Sequence, residues 1–191
     1  MLERHKIPSP LLFASLLNAL ARRVPIRVML IGASSDGPLN KALRDALDPA
    51  VEVDERIDLP FDVLLQELAK CDIGISGTTG QGHMMAAAQL PMLVLSGVTD
   101  PYESGPYTER VAHLRHNLPC GPCYQETFRF GCGRVACMDQ LNVEQGAELA
   151  LGLLDRTDFG KGWHQGRRLG AVPVHKICQI HSIRVSHGRG R

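Results

Sequence analysis

The chain has 191 residues, 44% of them apolar and 21% charged, with a formal net charge of +1. Those values suit a globular chain long enough to bury a core and exclude a disordered or collagen-like one. Aromatic residues make up only 5%, which leaves few platforms for stacking nucleobases, so no nucleic-acid partner is expected.

The near-neutral total conceals two unlike parts. Up to Asp155 there are 13 Lys and Arg against 19 Asp and Glu, and from Arg156 onward there are 8 against 1. The apolar patch from Leu11 to Leu20 is broken by Ser15 and Asn18 and followed by Arg22 and Arg23. It is too short for a membrane span and wrongly flanked for a secretory signal. The expectation is a cytoplasmic protein whose six cysteines face a reducing compartment, without structural disulfides.

In chain order, Ser9-Pro10 opens a helix, with Ser9 as N-cap and Leu12, Leu16, Leu17 and Leu20 on one stripe. Pro25 stops it, and Ile26 to Ile31 reads as a buried strand. Gly32 to Pro38 is a small polar loop, and a second helix runs from Leu39 to about Leu47. Val51 to Val53 is a short strand, and Phe61 to about Lys70 a helix with Leu64, Leu65 and Leu68 inward. Asp72 to Ser76, Gly82 to Gln89 and Met92 to Leu95 supply strand, helix and strand. Strands that are apolar throughout, alternating with helices, predict a parallel α/β sheet covered on both faces.

Asp100 to Leu141 reads as irregular, interrupted by Pro101, Pro106, Pro119 and Pro122. Asn142 caps a last amphipathic helix ending near Leu154. The expected organisation is one domain over 1–155 with a cysteine-rich loop at 118–138. A basic, disordered tail is expected over 156–191, where no periodicity is sustained.

The richest stretch lies between Ser76 and Pro101. An apolar strand runs into the small-residue turn Gly77 to Gly82, and an Ala- and Met-rich helix follows. Ligands of α/β sheets bind where strands end and helices begin. Unpaired N–H groups at a helix start attract phosphate. The hydroxyls of Thr78 and Thr79, the backbone at Gly80 and the ring of His83 are the candidate donors. Asp36, in the loop after the first strand, is a candidate for the ribose of a nucleotide, and serves equally as a loop and helix cap. Asp100, ahead of Pro101, reads as a turn-shaping residue. Cys71 reads as a small buried hydrophobe.

Several of these motifs occur in one order: Ser76-Gly77-Thr78-Thr79-Gly80-Gln81-Gly82-His83, Ala86-Ala87-Ala88, Pro91, Gly97-Val98-Thr99-Asp100-Pro101 and Gly105-Pro106-Tyr107. Further on come Leu118-Pro119-Cys120-Gly121-Pro122-Cys123-Tyr124 and Cys137-Met138. Together they resemble glycosyltransferase family 9, the ADP-heptose:lipopolysaccharide heptosyltransferases, over roughly residues 10 to 154. The resemblance implies the C-terminal, nucleotide-sugar-binding half of a GT-B fold. It also implies ADP-heptose as donor, a lipopolysaccharide core acceptor, no required metal, and a place at the inner face of the inner membrane. Ile57 to Pro60 then falls near the adenine.

Two departures stand out: the family's Asp falls on Thr78 and its Pro on Gln81. The N-terminal domain that brings the acceptor and the catalytic base has no counterpart in the chain, so no catalytic residue is assigned. The chain then needs a separate N-terminal domain, or self-associates. Two functions follow: a transferase half that binds its sugar donor, or a non-catalytic nucleotide- or partner-binding module derived from one.

The spacing Cys120-x2-Cys123-x8-Cys132-x4-Cys137 admits a structural zinc site, free thiols packing a loop, or two disulfides in an oxidising compartment. A zinc-dependent nucleic-acid module is the reading that the first of these would favour. The tail from Gly160 to Arg191 is either a basic arm for anionic surfaces or a non-native extension.

Overall fold

A computed structural model describes residues 7–116, 118–122, 136–155 and 175–180. Helix α1 (Pro10–Ala21) starts as its sequence dictates: the Ser9 hydroxyl accepts from the Leu12 N–H at 3.2 Å, and Pro10 stands in the first turn. Strand β1 (Ile26–Gly32), a 3-10 turn (Ser34–Asp36), α2 (Gly37–Ala46), β2 (Glu52–Ile57), α3 (Phe61–Leu68), β3 (Ile73–Gly77), α4 (Gly80–Ala87) and β4 (Met92–Ser96) follow. After them come α5 (Pro101–Ser104), β5 (Val111–Arg115), α6 (Ala136–Asp139), α7 (Val143–Asp155) and β6 (His175–Ile180). Helix α7 has the expected cap, Asn142 Oδ1 accepting from the Gln145 N–H at 3.0 Å.

The six strands among the described residues are all parallel, in the order β2-β1-β6-β3-β4-β5. The doubly covered α/β fold expected from the apolar strands is therefore present. Successive strand residues feed two separate cores, because side chains alternate between sheet faces. Val28, Leu30, Ile75, Leu93, Leu95 and Leu114 pack with Phe13, Leu16, Leu17 and Leu20 of α1, Leu43 of α2 and Ala147 and Ala150 of α7. Met29, Ile31, Met92 and Val94 pack on the other face with Leu64 and Leu68 of α3, Cys71, and Met85 of α4. Cys71 is thus the buried hydrophobe its surroundings suggested.

Three elements differ from the sequence expectation. Strand β2 runs to Ile57 rather than Val53, its charged residues permitted because it is an edge. The stretch expected to be irregular contains β5, the opposite edge, paired with β4 through Met92↔Val111 to Ser96↔Arg115. The largest difference is β6. Residues 175–180, read as part of a disordered tail, pair with β1 from Ile26↔His175 to Ile31↔Ile180 and with β3 from Ile73↔Ile177 to Ile75↔Gln179. Ile177 is fully buried in the first core. His-Lys-Ile-Cys-Gln-Ile has no apolar run, so its place depends on pairing with distant strands and not on local pattern. The remainder of 156–191 lies outside the described residues.

From β1 the chain proceeds to β2 on one side, and from β3 to β4 and β5 on the other. The reversal therefore falls around β6. Carboxyl ends of strands at such a reversal form the crevice in which open α/β sheets take ligands.

Candidate functional site

Three corners line the carboxyl edge of the sheet: after β1, after β3 and after β4. The corner after β3 carries most of the candidate residues. Thr79 is the N-cap of α4, in extended backbone, but its side chain makes no capping bond. Its hydroxyl donates instead to Gln81 Oε1. Helix α4 thus starts without a side-chain cap from Thr79, and its first amide, at Gly80, lies before the intrahelical ladder begins. Gly80 and His83 are exposed, Thr79 is half-buried, and Gln81 and Gly82 are buried.

Beneath that turn lie the candidate Thr78 and three hydroxyls the sequence reading did not single out, those of Ser76, Ser96 and Thr99. Thr78 is buried and accepts a 2.6 Å hydrogen bond from the Oγ of Thr99, which follows β4. Ser76 and Ser96 are fully buried at the ends of β3 and β4, and neither Oγ has a hydrogen-bond partner among the described residues. The Ser76 hydroxyl faces the first turn of α4: a Cβ built on Gly82 would stand 3.3 Å from it and 2.9 Å from Pro106 Cγ. Gly82 is therefore the residue that lets α4 close onto both Ser76 and Pro106. Serines at the ends of apolar strands were the available signal for this cluster. The meeting of Thr78 with Thr99 depends on β3 and β4 being neighbours.

The corner after β1 is built differently. Asp36 is buried, and its Oδ2 accepts from the Ala33 N–H at 2.9 Å. Asp58, after β2, accepts from the Ser34 N–H at 3.0 Å through Oδ1 while its own N–H donates to Gly32 O. Two carboxylates thus occupy the loop amides that a phosphate would need. Asp36 belongs to this corner, two strand positions away from Thr78, Thr79, Gly80 and His83, with β6 between them. Asp58, with φ at 51°, was missed as an individual residue, although the segment Ile57 to Pro60 contains it.

The corner after β4 is a brace. Asp100 caps α5, its side chain accepting from the Tyr102 N–H at 2.9 Å, which is the turn-shaping role expected of it. Ser104 Oγ donates to Asp100 O at 3.0 Å, and the Gly105 N–H donates to Pro101 O at 2.9 Å.

Of the four cysteines considered for metal, Cys123 and Cys132 lie outside the described residues. Cys120 is exposed, whereas Cys137 is buried with Val98 and Met138. No three His, Cys, Asp or Glu side chains converge as a metal site among the described residues. No helix among the described residues is long and apolar enough to cross a membrane.

Comparison with known proteins bears on what this edge is for. Over 52 residues the chain is 43% identical to lipopolysaccharide heptosyltransferase 1 of Pseudomonas aeruginosa, covering 27% of this chain and 15% of that one. Over 92 residues it is 32% identical to lipooligosaccharide heptosyltransferase 2 of Campylobacter jejuni, covering 48% of this chain and 28% of the relative. The chain thus spans less than a third of the length of either relative in these matches. The fold is similar to the solved E. coli ADP-heptose lps heptosyltransferase II at a TM-score of 0.64 and 18% identity. That similarity covers 78% of this chain and 42% of the other. It supports the GT-B-type α/β fold. The family model "Glycosyltransferase family 9 (heptosyltransferase)" matches residues 11–133, more than half of the chain and the whole of the three-cornered edge. The chain therefore belongs to glycosyltransferase family 9, the heptosyltransferases.

Proposed function

We propose that this chain is the donor-binding part of a heptosyltransferase, holding ADP-heptose for transfer to a lipopolysaccharide core acceptor at the cytoplasmic face of the inner membrane. The observation that carries the reading is the start of α4, which Thr79 does not cap, set directly above a buried hydroxyl, Ser76 Oγ, that has no hydrogen-bond partner among the described residues. Buried polar atoms are nearly always satisfied, so an orphan aimed at a helix start marks a place where a ligand completes the hydrogen bonding. The diphosphate would lie against the Gly80 amide, with Thr79 and His83 at its rim. Asp36 and Asp58 suit the hydroxyls of a ribose better than a phosphate, because their carboxylates accept hydrogen bonds and repel anions.

In the reaction the bond from the sugar's anomeric carbon to the diphosphate oxygen breaks, and a bond to the acceptor oxygen forms. The acceptor proton goes to a base that a separate domain supplies. What this part contributes is stabilisation of the charge that builds on the departing diphosphate. This chemistry needs no metal. Zinc at Cys120, Cys123, Cys132 and Cys137 would be structural, and elemental analysis of the purified protein measures it.

A second reading is a non-catalytic nucleotide-binding module. It is favoured by Thr78, a neutral hydroxyl that accepts from Thr99 at the position where the family resemblance puts an acid. Calorimetric titration with ADP and ADP-heptose tests both: binding of neither ligand at millimolar concentration removes both readings. Supplying an acceptor-binding N-terminal domain then separates them, since sugar transfer occurs only on the first.

A further inference from the structure

We propose that Tyr102 and Tyr107 form a sugar-recognition rim, packing their phenol faces against the ring of the transferred sugar; this rests on the reading of the α4 turn as the diphosphate site. The two side chains are carried by the brace after β4, which is pinned to that turn at both ends. Thr99, three residues before Tyr102, donates its hydroxyl to Thr78 at 2.6 Å. Pro106, the residue before Tyr107, lies against Gly82 in the first turn of α4. Between the pins, the Asp100 cap and the bond from the Gly105 N–H to Pro101 O hold the backbone in one shape.

The brace nevertheless turns its two aromatic residues outward: Tyr102 is 92% exposed and Tyr107 fully exposed. They are two of only three tyrosines in the chain. A tyrosine offers a rigid apolar face and a polar tip at little entropic cost, which fits a sugar ring with its C–H face and its hydroxyls.

The order of corners along the edge fixes which part of the ligand reaches them. The acidic pair Asp36 and Asp58 lies on the β1 side, the α4 turn follows β3, and the brace follows β4. A nucleotide sugar is linear, with its diphosphate in the middle. With the diphosphate at the α4 turn and the ribose at the carboxylates, the sugar extends over the brace. A nucleobase would have to lie on the opposite side.

The test is calorimetric titration of the full chain with ADP and with ADP-heptose, comparing the wild type with Tyr102→Ala/Tyr107→Ala and Tyr102→Phe/Tyr107→Phe. The expected result is an unchanged ADP affinity in both variants. The alanine pair is expected to lose about tenfold in ADP-heptose affinity, an effect the size of one to two aromatic packing contacts. The phenylalanine pair should recover most of that loss. Equal weakening of ADP and ADP-heptose, or no weakening of either, overturns the sugar rim while leaving the diphosphate reading in place. A change confined to self-association, followed by sedimentation, also overturns it in favour of an interface between copies. Failure of the wild type to bind ADP at all removes the diphosphate reading, and the rim with it.

Discussion

Thr99 Oγ and Thr78 Oγ stand 2.6 Å apart in a buried position, the one hydroxyl donating to the other across the ends of β4 and β3. This bond ties the β4 corner to the strand that leads into the α4 turn. It also gives Thr78 a structural partner. Breaking it from one side leaves a buried hydroxyl unsatisfied, whereas replacing both partners leaves none. Thr99→Val and Thr78→Val are each expected to destabilise the fold by about 1–2 kcal/mol, and the double variant by less than the sum. Urea denaturation of the four proteins checks this, and strict additivity would show that the bond contributes nothing.

Gly80 allows the helix start to be tested without disturbing the fold. It is the first residue of α4, the preceding Thr79 is extended at φ −134° and ψ 176°, and a Cβ at Gly80 would meet nothing within 4 Å. Proline is tolerated at such a position and removes one N–H. Gly80→Pro is expected to keep the melting temperature within a few degrees and to weaken ADP binding about tenfold, the effect of one hydrogen bond to a charged group. An unchanged ADP affinity would show that the diphosphate does not use that amide.

Strand β6 brings residues 175–180 into the sheet. Among the described residues β1 and β3 do not pair with each other, so β6 alone joins the β2-β1 pair to the β3-β4-β5 group. Truncation after Asp155 is expected to abolish cooperative thermal unfolding measured by circular dichroism. Ile177→Asp, which buries a carboxylate in the first core, should cost about 4 kcal/mol or more. A truncated chain that melts like the full one would exclude β6 from the sheet.

His113 on β5 gives the protein an acid-sensitive element. Its ring is partly buried with Nδ1 unpartnered among the described residues, and desolvation, followed by the nearby Arg115, holds its pKa below the ordinary 6.5. The unfolded chain then takes up the proton more readily than the folded one. This contribution falls as the pH drops below 6.5 and becomes constant once the pH is below the folded value. Above that window the residue contributes nothing to the pH dependence. Denaturant titrations at several pH values should show a shallower acid loss for His113→Val than for the wild type. Parallel curves would mean that the ring titrates equally in both states.

The extent to which this fold could be read from sequence follows the range of the interactions. Ser9, Pro10 and Asn142 act on residues three or fewer positions away, and the caps they predicted are present. Strands β1, β3 and β4 were recognisable because burial on both faces demands unbroken apolar runs. Edge strands β2 and β5 carry polar residues for the opposite reason, and were underestimated or missed. The family was legible too, because its signature is a contiguous series of motifs.

Sequence by itself thus determined the α/β class, the helix starts and the glycine-rich turn, all consequences of local sterics, capping and hydrophobic period. Only the tertiary structure decided that His175–Ile180 occupies the middle of the sheet, between strands more than 80 residues earlier in the chain. It likewise decided that Thr78 meets Thr99, and that Ser76 and Pro106 close on Gly82 of α4. Those contacts join residues distant in sequence. Their free energy comes from strand pairing and burial that exist only once the sheet has assembled.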